Sequence, residues 1–493
     1  MGSIRAFTGA AALLVLPLML AACSPYSTGR FNDSLRIPAI NNASTAKERL
    51  YGVTDRWWEV FNDPELNRLM QSAFSGNLDL VQAYERMEQA RAAAREAGAQ
   101  RLPSLTASAA AGRVRQKTSS GPMESDTYQA SLGASYELDL WAKMRSRTRA
   151  AVLESMASEE ALRAAYMGTS AEIAELYFTS VEQKAQLKLS GLTIRSLERI
   201  RESVELRYRA GVVTALDLYL ARQNLATAST KRPALEAAVA EAEAGLALAT
   251  GRAPGELDME TPDTLPGPPE FPTEIPSDIL KRRPDVQAAL RTLEAKDYRV
   301  AAAVADRFPS FSLTASYGGA SNELSEILKS PNIFWSALMN LAMPIMDGGK
   351  RSAASDKAKA AMRESLAAYQ KAVLSALKDV HIALIRNTRS AEQIYLMEQA
   401  VKAGENTLRV AEAQYLQGIT DYINVLSAQQ QLSASQSSLL TSRRQLISAR
   451  IQLARALGGN WMDDMPPLSR ADHYNITTEK TETTDKAGAD DQE

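Results

Sequence analysis

Tyr128-Gln129-Ala130-Ser131-Leu132-Gly133-Ala134-Ser135-Tyr136-Glu137-Leu138-Asp139-Leu140 is the stretch that decides the fold. Every even position is apolar, and the odd positions between are polar or small. Strict period two is the mark of a β-strand with one apolar and one wet face. The pattern returns later. Phe311, Leu313, Ala315 and Tyr317 alternate with Ser312, Thr314 and Ser316, and Ile333, Trp335, Ala337, Met339, Leu341, Met343 and Ile345 form a returning strand. Residues 105–111 alternate more weakly ahead of the first strand. Two hairpins are predicted, with loops at 116–126 and 321–332. A tilted strand of about 9–11 residues crosses a bilayer core, so these are long enough. Tyr128, Tyr136, Trp141, Tyr317 and Trp335 stand near strand ends, as an interfacial girdle requires. A soluble sheet with one buried face would alternate in the same way.

Outward from the strands, the chain contains itself twice. An offset of 206 pairs Asp79 with Asp285, Glu88 with Glu294, and Arg101-Leu102-Pro103-Ser104 with Arg307-Phe308-Pro309-Ser310. At 207 it pairs Tyr208-Arg209-Ala210-Gly211 with Tyr415-Leu416-Gln417-Gly418, and Gly251 with Gly458. Chance likeness of Ala-rich helices would not align prolines and glycines, so one unit has been duplicated. Each copy predicts a helix (80–99; 286–305), two strands, and two long helical stretches meeting at Gly211 or Gly418. The first stretch, 142–211, has no proline; its partner, 214–250, is interrupted only by Pro233. In copy two, Val373, Leu377, Val380, Leu384, Ala391, Ile394, Val401, Leu408 and Tyr415 keep a coiled-coil period. Helices this long pack as a bundle projecting from the sheet.

The division is a signal peptide at 1–22, an N-terminal extension with the first helix at 23–76, repeat 1 at 77–252 and repeat 2 at 277–460. Between the repeats lies a connector at 253–276; residues 254–276 hold seven prolines and cannot be helix interior. A polar tail at 461–493 is expected to be disordered. Arg5, the apolar run 10–20 and the small Ala21 and Ala22 read as an export signal. The end of that signal, Leu20-Ala21-Ala22-Cys23, resembles a bacterial lipobox, and Cys23 is the one cysteine in 493 residues. The resemblance implies lipidation (palmitate) at Cys23, and Ser24 after it implies delivery to the outer membrane.

Beyond residue 23 no run of 18 apolar residues occurs, so a membrane crossing would need a closed β-barrel. Four strands cannot close one, and an open edge in lipid leaves backbone groups unpaired. Several chains must share a barrel. Two chains give a barrel filled by side chains; three or more leave a lumen, which the small polar inward residues favour. Lys and Arg total 56 against 58 Asp and Glu, so no basic excess exists for nucleic acid. With His381 and His473 far apart and one cysteine, no metal cluster, nucleotide cradle or catalytic pair is legible; no cofactor and no enzyme activity are expected.

Five segments carry a resemblance to a known family: Trp57-Trp58-Glu59-Val60-Phe61-Asn62-Asp63-Pro64-Glu65-Leu66, Tyr136-Glu137-Leu138-Asp139-Leu140-Trp141, Leu280-Lys281-Arg282-Arg283-Pro284-Asp285-Val286, Pro344-Ile345-Met346-Asp347-Gly348-Gly349-Lys350, and Tyr415-Leu416-Gln417-Gly418. Together they resemble the TolC-like outer membrane factors, most of all the NodT-type outer membrane efflux lipoproteins. The resemblance implies an α+β membrane protein. Three chains would form a 12-stranded outer-membrane barrel, four strands from each, continuous with a periplasmic α-helical tunnel. It implies an exit duct for small molecules, fed by a periplasmic adaptor and an inner-membrane pump of the resistance-nodulation-division type, and seated in outer-membrane lipid. A protein-secretion duct and a soluble periplasmic coiled-coil scaffold are the alternatives. Tyr208, Gly211, Tyr415 and Gly418 would form the adaptor-facing tip. Asn424 and Ser427 would line the periplasmic entrance, where relatives often carry aspartates, and Asp217 is the repeat-one counterpart of Asn424. Ala142 replaces a glycine usual in the family.

Overall fold

A computed structural model describes residues 25–29, 56–118, 121–267, 283–459 and 461–464. The signal peptide, Cys23, residues 268–276 of the connector and the tail from 465 lie outside the described residues. The elements are α1 (Pro64–Gly76), α2 (Leu78–Ala99), β1 (Ser104–Thr118), β2 (Gly121–Leu138), α3 (Lys143–Arg209), α4 (Ala215–Ser229), α5 (Lys231–Ala249), α6 (Pro284–Ala305), β3 (Ser310–Ser321), β4 (Ile333–Ala342), α7 (Lys350–Leu416) and α8 (Tyr422–Leu457). The order helix, two strands, long helices occurs twice, so the internal repeat is structural.

The four strands form one antiparallel sheet in the order β1-β2-β3-β4. Its register sorts the side chains by polarity. Ala107, Leu132, Tyr317 and Trp335 make one row on the apolar face; Ala134, Ala315 and Ala337 make the next, with Tyr136, Leu313 and Met339 beyond. On the other face small hydroxyls meet: Ser104 and Ser135 at 2.7 Å, Ser108 and Ser131 at 2.9 Å, Ser316 and Ser336 at 2.7 Å. Because side chains alternate, a slip of one residue would exchange these faces, so the sequence pattern fixes the register.

Strand boundaries differ from expectation in three places, the first being β2, which ends at Leu138 rather than Leu140. Most of the loop expected at 116–126 is strand, paired as far as Thr118 with Gly121. Alternation is lost there because both faces turn polar, but opposite charges face one another: Arg113 donates to Asp126 at 2.6 and 2.9 Å, and Arg115 lies 3.6 Å from Glu124. Cross-strand ion pairs hold what apolar alternation no longer marks. The returning strand ends at Ala342 rather than Ile345. Pro344 has no N–H to extend the ladder.

Strand passes to helix through an acidic cap. The Asp139 carboxylate accepts from the N–H groups of Met144 and Arg145 at 2.9 and 2.8 Å, and Asp347 accepts from Gly349 and Arg351 at 3.0 and 3.2 Å. Between cap and helix, Gly349 has φ 84° and its repeat counterpart Ala142 has φ 58°. Ala142 thus sits in a left-handed conformation that costs an L-residue about 1–2 kcal/mol, a cost glycine does not carry.

The helices α3 and α7 each run 67 residues without a break, about 100 Å at 1.5 Å per residue. The stretch after Gly211 divides at Thr230, three residues ahead of Pro233. A proline removes its own N–H and crowds the carbonyl of the preceding turn, so the break precedes it; α8 has no such interruption. Along α7 the buried stripe is Val373, Ala376, Val380, Ala383 and Asn387, and Ala391, expected in the seam, is exposed. Asn387 takes its place and accepts from Arg450 Nε of α8 at 3.1 Å.

Midway along the bundle lies an aromatic core of Trp57, Trp58, Phe61, Phe74, Tyr166, Tyr177, Phe178 and Trp461. Trp58 meets Trp461 edge-on at 4.9 Å. Trp461 and Met462 are therefore packed, not part of a disordered tail as their position suggested. Nearby the two repeats solve one problem with different chemistry. Asn77 Nδ2 donates to the Ala249 carbonyl at 2.8 Å; at the matching place Arg283 donates to the Ala456 carbonyl at 3.5 Å. Burial disfavours the Arg283 charge, but its bonds to Asp285 and the charge of Asp379 outweigh that and raise its pKa. For Asp285 too, burial opposes the charged form, and Arg283 overrides it to lower the pKa.

Candidate functional site

The far end of the bundle is built from two matching turns. In each, a long helix closes with the same pair of bonds: Gly211 N–H to the Tyr208 carbonyl (2.9 Å) with Val212 N–H to Arg207 (2.8 Å), and Gly418 N–H to Tyr415 (3.1 Å) with Ile419 N–H to Gln414 (2.9 Å). This is the Schellman arrangement, which needs a left-handed residue after the cap. Gly211 has φ 70° and Gly418 φ 76°. A Cβ on either would meet nothing within 4 Å, so the constraint is on backbone conformation alone. Gly418→Val should therefore disorder this turn, at a cost of about 1–2 kcal/mol or more for a β-branched left-handed residue. Barrel insertion should persist while adaptor crosslinking and efflux fall. Unchanged crosslinking and efflux would count against Gly418 as part of a docking tip.

The two tyrosines ahead of the glycines are not equivalent. Tyr208 is 41% exposed and Tyr415 is 7% exposed. Tyr415 packs with Val204, Leu218, Tyr422 and Val425, so it does not face outward as predicted. It ties the two hairpins together instead. Arg207 lies over its ring at 4.7 Å and donates to its carbonyl at 3.0 Å, and the Tyr422 ring stands 5.9 Å away. Burial raises the Tyr415 pKa against the opposing Arg207 charge, and pushes the Tyr422 phenol up to about 12. The exposed apolar residues here include Leu206, Val212, Leu216, Leu416, Ile419 and Ile423. Sequence reasoning missed them; Val212 and Ile419 each follow a turn glycine at the position where a Schellman turn commonly carries an apolar residue, so local sequence carried no signal of a surface patch.

Asn424 and Ser427 are both exposed near the start of α8, three residues apart and so on one helix face. Neither bonds across to another element. Asn424 Nδ2 donates to Thr420 Oγ1 at 2.7 Å, and Ser427 Oγ to the Ile423 carbonyl at 2.9 Å. Asp217 is occupied elsewhere, in a capping box with Thr214. Its carboxylate accepts from the Thr214 N–H and hydroxyl at 3.1 and 2.9 Å, and its own N–H donates to Thr214 Oγ1 at 3.3 Å. The repeat reverses this box: Thr214 corresponds to Asp421, and Asp217 to Asn424. Asp421 is the N-cap of α8, exposed, and its side chain makes no capping hydrogen bond. It is one turn from Asn424, and the sequence reading passed over it.

No helix among the described residues is long and apolar enough to cross a membrane. Among those residues no group of three or more His, Cys, Asp or Glu could hold a metal ion. The family described as outer membrane efflux protein matches residues 69–252 and 275–459, one segment per repeat. The solvent efflux pump outer membrane protein SrpC of Pseudomonas putida is 31% identical over 408 residues, 82% of this chain and 87% of that protein. Outer membrane protein OprJ of Pseudomonas aeruginosa is 31% identical over 472 residues, 92% of this chain and 96% of that one. The solved outer-membrane channel OprN superposes with a TM-score of 0.82 at 27% identity, covering 90% of this chain and 100% of that one.

Proposed function

Because the chain belongs to the outer membrane efflux protein family and is an outer-membrane efflux channel, we propose that three copies share one barrel and form a passive exit duct for small molecules. The observation that carries this is the sheet: four amphipathic strands whose outermost members, β1 and β4, each have one unpaired edge in the described chain. Lipid does not tolerate such edges. Three chains bring twelve strands, and β4 of one protomer can pair with β1 of the next. The polar rows of Ser104, Ser135, Ser316 and Ser336 then line a water-filled lumen, and the apolar rows meet lipid. The long helices continue the passage into the periplasm, where the exposed apolar turn residues dock an adaptor served by a resistance-nodulation-division pump. No chemistry on the cargo is needed; the pump supplies the drive.

Light scattering in mild detergent should give three chains per particle, and a monomer would overturn the shared barrel. Lipidation of Cys23 adds an anchor independent of the strands. Mass spectrometry of the mature N-terminal peptide should find acyl groups on Cys23, and an unmodified thiol would remove the anchor from the reading.

A further inference from the structure

Asp297 is 1% exposed, in the middle of α6. Burying a carboxylate is costly unless hydrogen bonds satisfy it. The cations beside it on the helix are turned elsewhere: Arg299 donates to Glu154 at 2.8 and 2.6 Å, and Lys296 lies 3.9 Å from the same carboxylate. Among the described residues no lysine or arginine pairs with Asp297. Its donors come from the other end of the sequence. Tyr26 OH donates to Oδ1 at 2.9 Å and Gly29 N–H to Oδ2 at 2.6 Å. The Tyr26 hydroxyl also lies 4.0 Å from the Met362 sulfur of α7. Residues 25–29 are thus clamped against both helices that flank the second hairpin.

We infer that Asp297 is a latch that fixes where the N-terminal anchor enters the bilayer. The inference rests on the reading of Cys23 as lipidated. From Asp297 to the end of α6 at Ala305, where the chain turns toward β3, is about 12 Å of helix rise. From Tyr26 back to residue 23 is three residues, at most about 10 Å of chain. At full extension that chain ends about 2 Å short of the end of α6, a gap that an acyl chain spans, so the latch holds the anchor within reach of the level at which helices give way to membrane-spanning strands. A hold at the aromatic core, much further down the bundle, would leave the acyl chains short of lipid. Asp297 is a positioning residue: it touches neither lipid nor cargo.

Hydrogen–deuterium exchange on the full-length protein in detergent tests the latch at the peptide covering residues 25–29. Exchange there should rise about tenfold or more in Asp297→Leu, less in Asp297→Asn, which keeps one acceptor, and less again in Tyr26→Phe, which keeps the Gly29 bond. Cys23→Ala should leave the protection intact, because the clamp is made by protein groups alone. Peptides around Gly418 serve as an internal control for folding. If Asp297→Leu does not fold, the Asn and Phe variants decide. Unchanged exchange at 25–29 in all the Asp297 and Tyr26 variants that fold would overturn the latch. Mass spectrometry of the same N-terminal peptide reads the acyl group separately. A protected segment bearing a free Cys23 thiol would refute the anchor while sparing the clamp; an acylated but unprotected segment would refute the clamp alone.

Discussion

Ala315→Arg should prevent the barrel from assembling, whereas Thr314→Arg, one residue back, should leave it assembled. Ala315 lies on the apolar face of β3 between Ala134 and Ala337, midway between the rows of Tyr136 and Tyr317, and the side chain of Thr314 points to the opposite face, where Asn340 Nδ2 donates to it at 3.3 Å. In a lipid-facing position near the bilayer centre an arginine costs about 2–4 kcal/mol per chain. That is at least about a 30-fold loss in folded population for each chain, and three chains carry it in every barrel. On the lumen face the same guanidinium meets water. Its expected effect is on conduction, shifting selectivity toward anions. Heat-modified migration of the detergent-solubilised protein reads assembly, and planar-bilayer recordings read selectivity. If the two variants exchanged behaviours, the register would be off by one residue. If both assembled, the apolar face would not meet lipid.

The same parity explains what could be read without coordinates. Strands were legible where one face was apolar, because period two then shows directly in residues 128–140 and 311–317. They became illegible above Ala111, where Arg113 and Asp126 replace apolar pairing with charge. A sequence does not display which charge faces which across a hairpin. The helices were legible from length and absence of proline, and the duplication from its prolines and glycines. Which residue fills the seam at a polar position was not: Asn387 belongs to the stripe only because Arg450 of another helix reaches it. At the tip, the glycines were readable because backbone handedness leaves few other residues. The fates of Tyr208 and Tyr415 were not, because identical residues at matching positions of a repeat need not have matching neighbours. Arg207 and Tyr422 enclose Tyr415, and the asymmetry between the repeats is made by packing rather than by local sequence.

Asn424→Asp combined with Ser427→Asp should create a channel that divalent cations block, while the native channel is blocked weakly. Both residues share an exposed face at the start of α8, which we place at the periplasmic narrowing. In a trimer each position forms a ring of three. The side chains present now are neutral and satisfied within their own helix, Asn424 by Thr420 and Ser427 by the Ile423 carbonyl. They offer a cation dipoles but no charge. Asp217 stands on α4 rather than on this face, its carboxylate held in the capping box by the N–H and hydroxyl of Thr214. Asp421, the exposed N-cap of α8, is the residual acidic group on this face. One ring of carboxylates accounts for weak block, and Asp421→Asn should abolish even that. With the two added aspartates, three successive rings stand one helical turn apart. The carboxylates repel one another, and a magnesium or calcium ion that bridges them relieves the repulsion. Conductance of the reconstituted channel with and without magnesium measures the result on the periplasmic side. Strong block of the native channel would show that charge already lines the narrowing from residues other than these. Absence of block in the double variant would show that the Asn424 face points away from the axis.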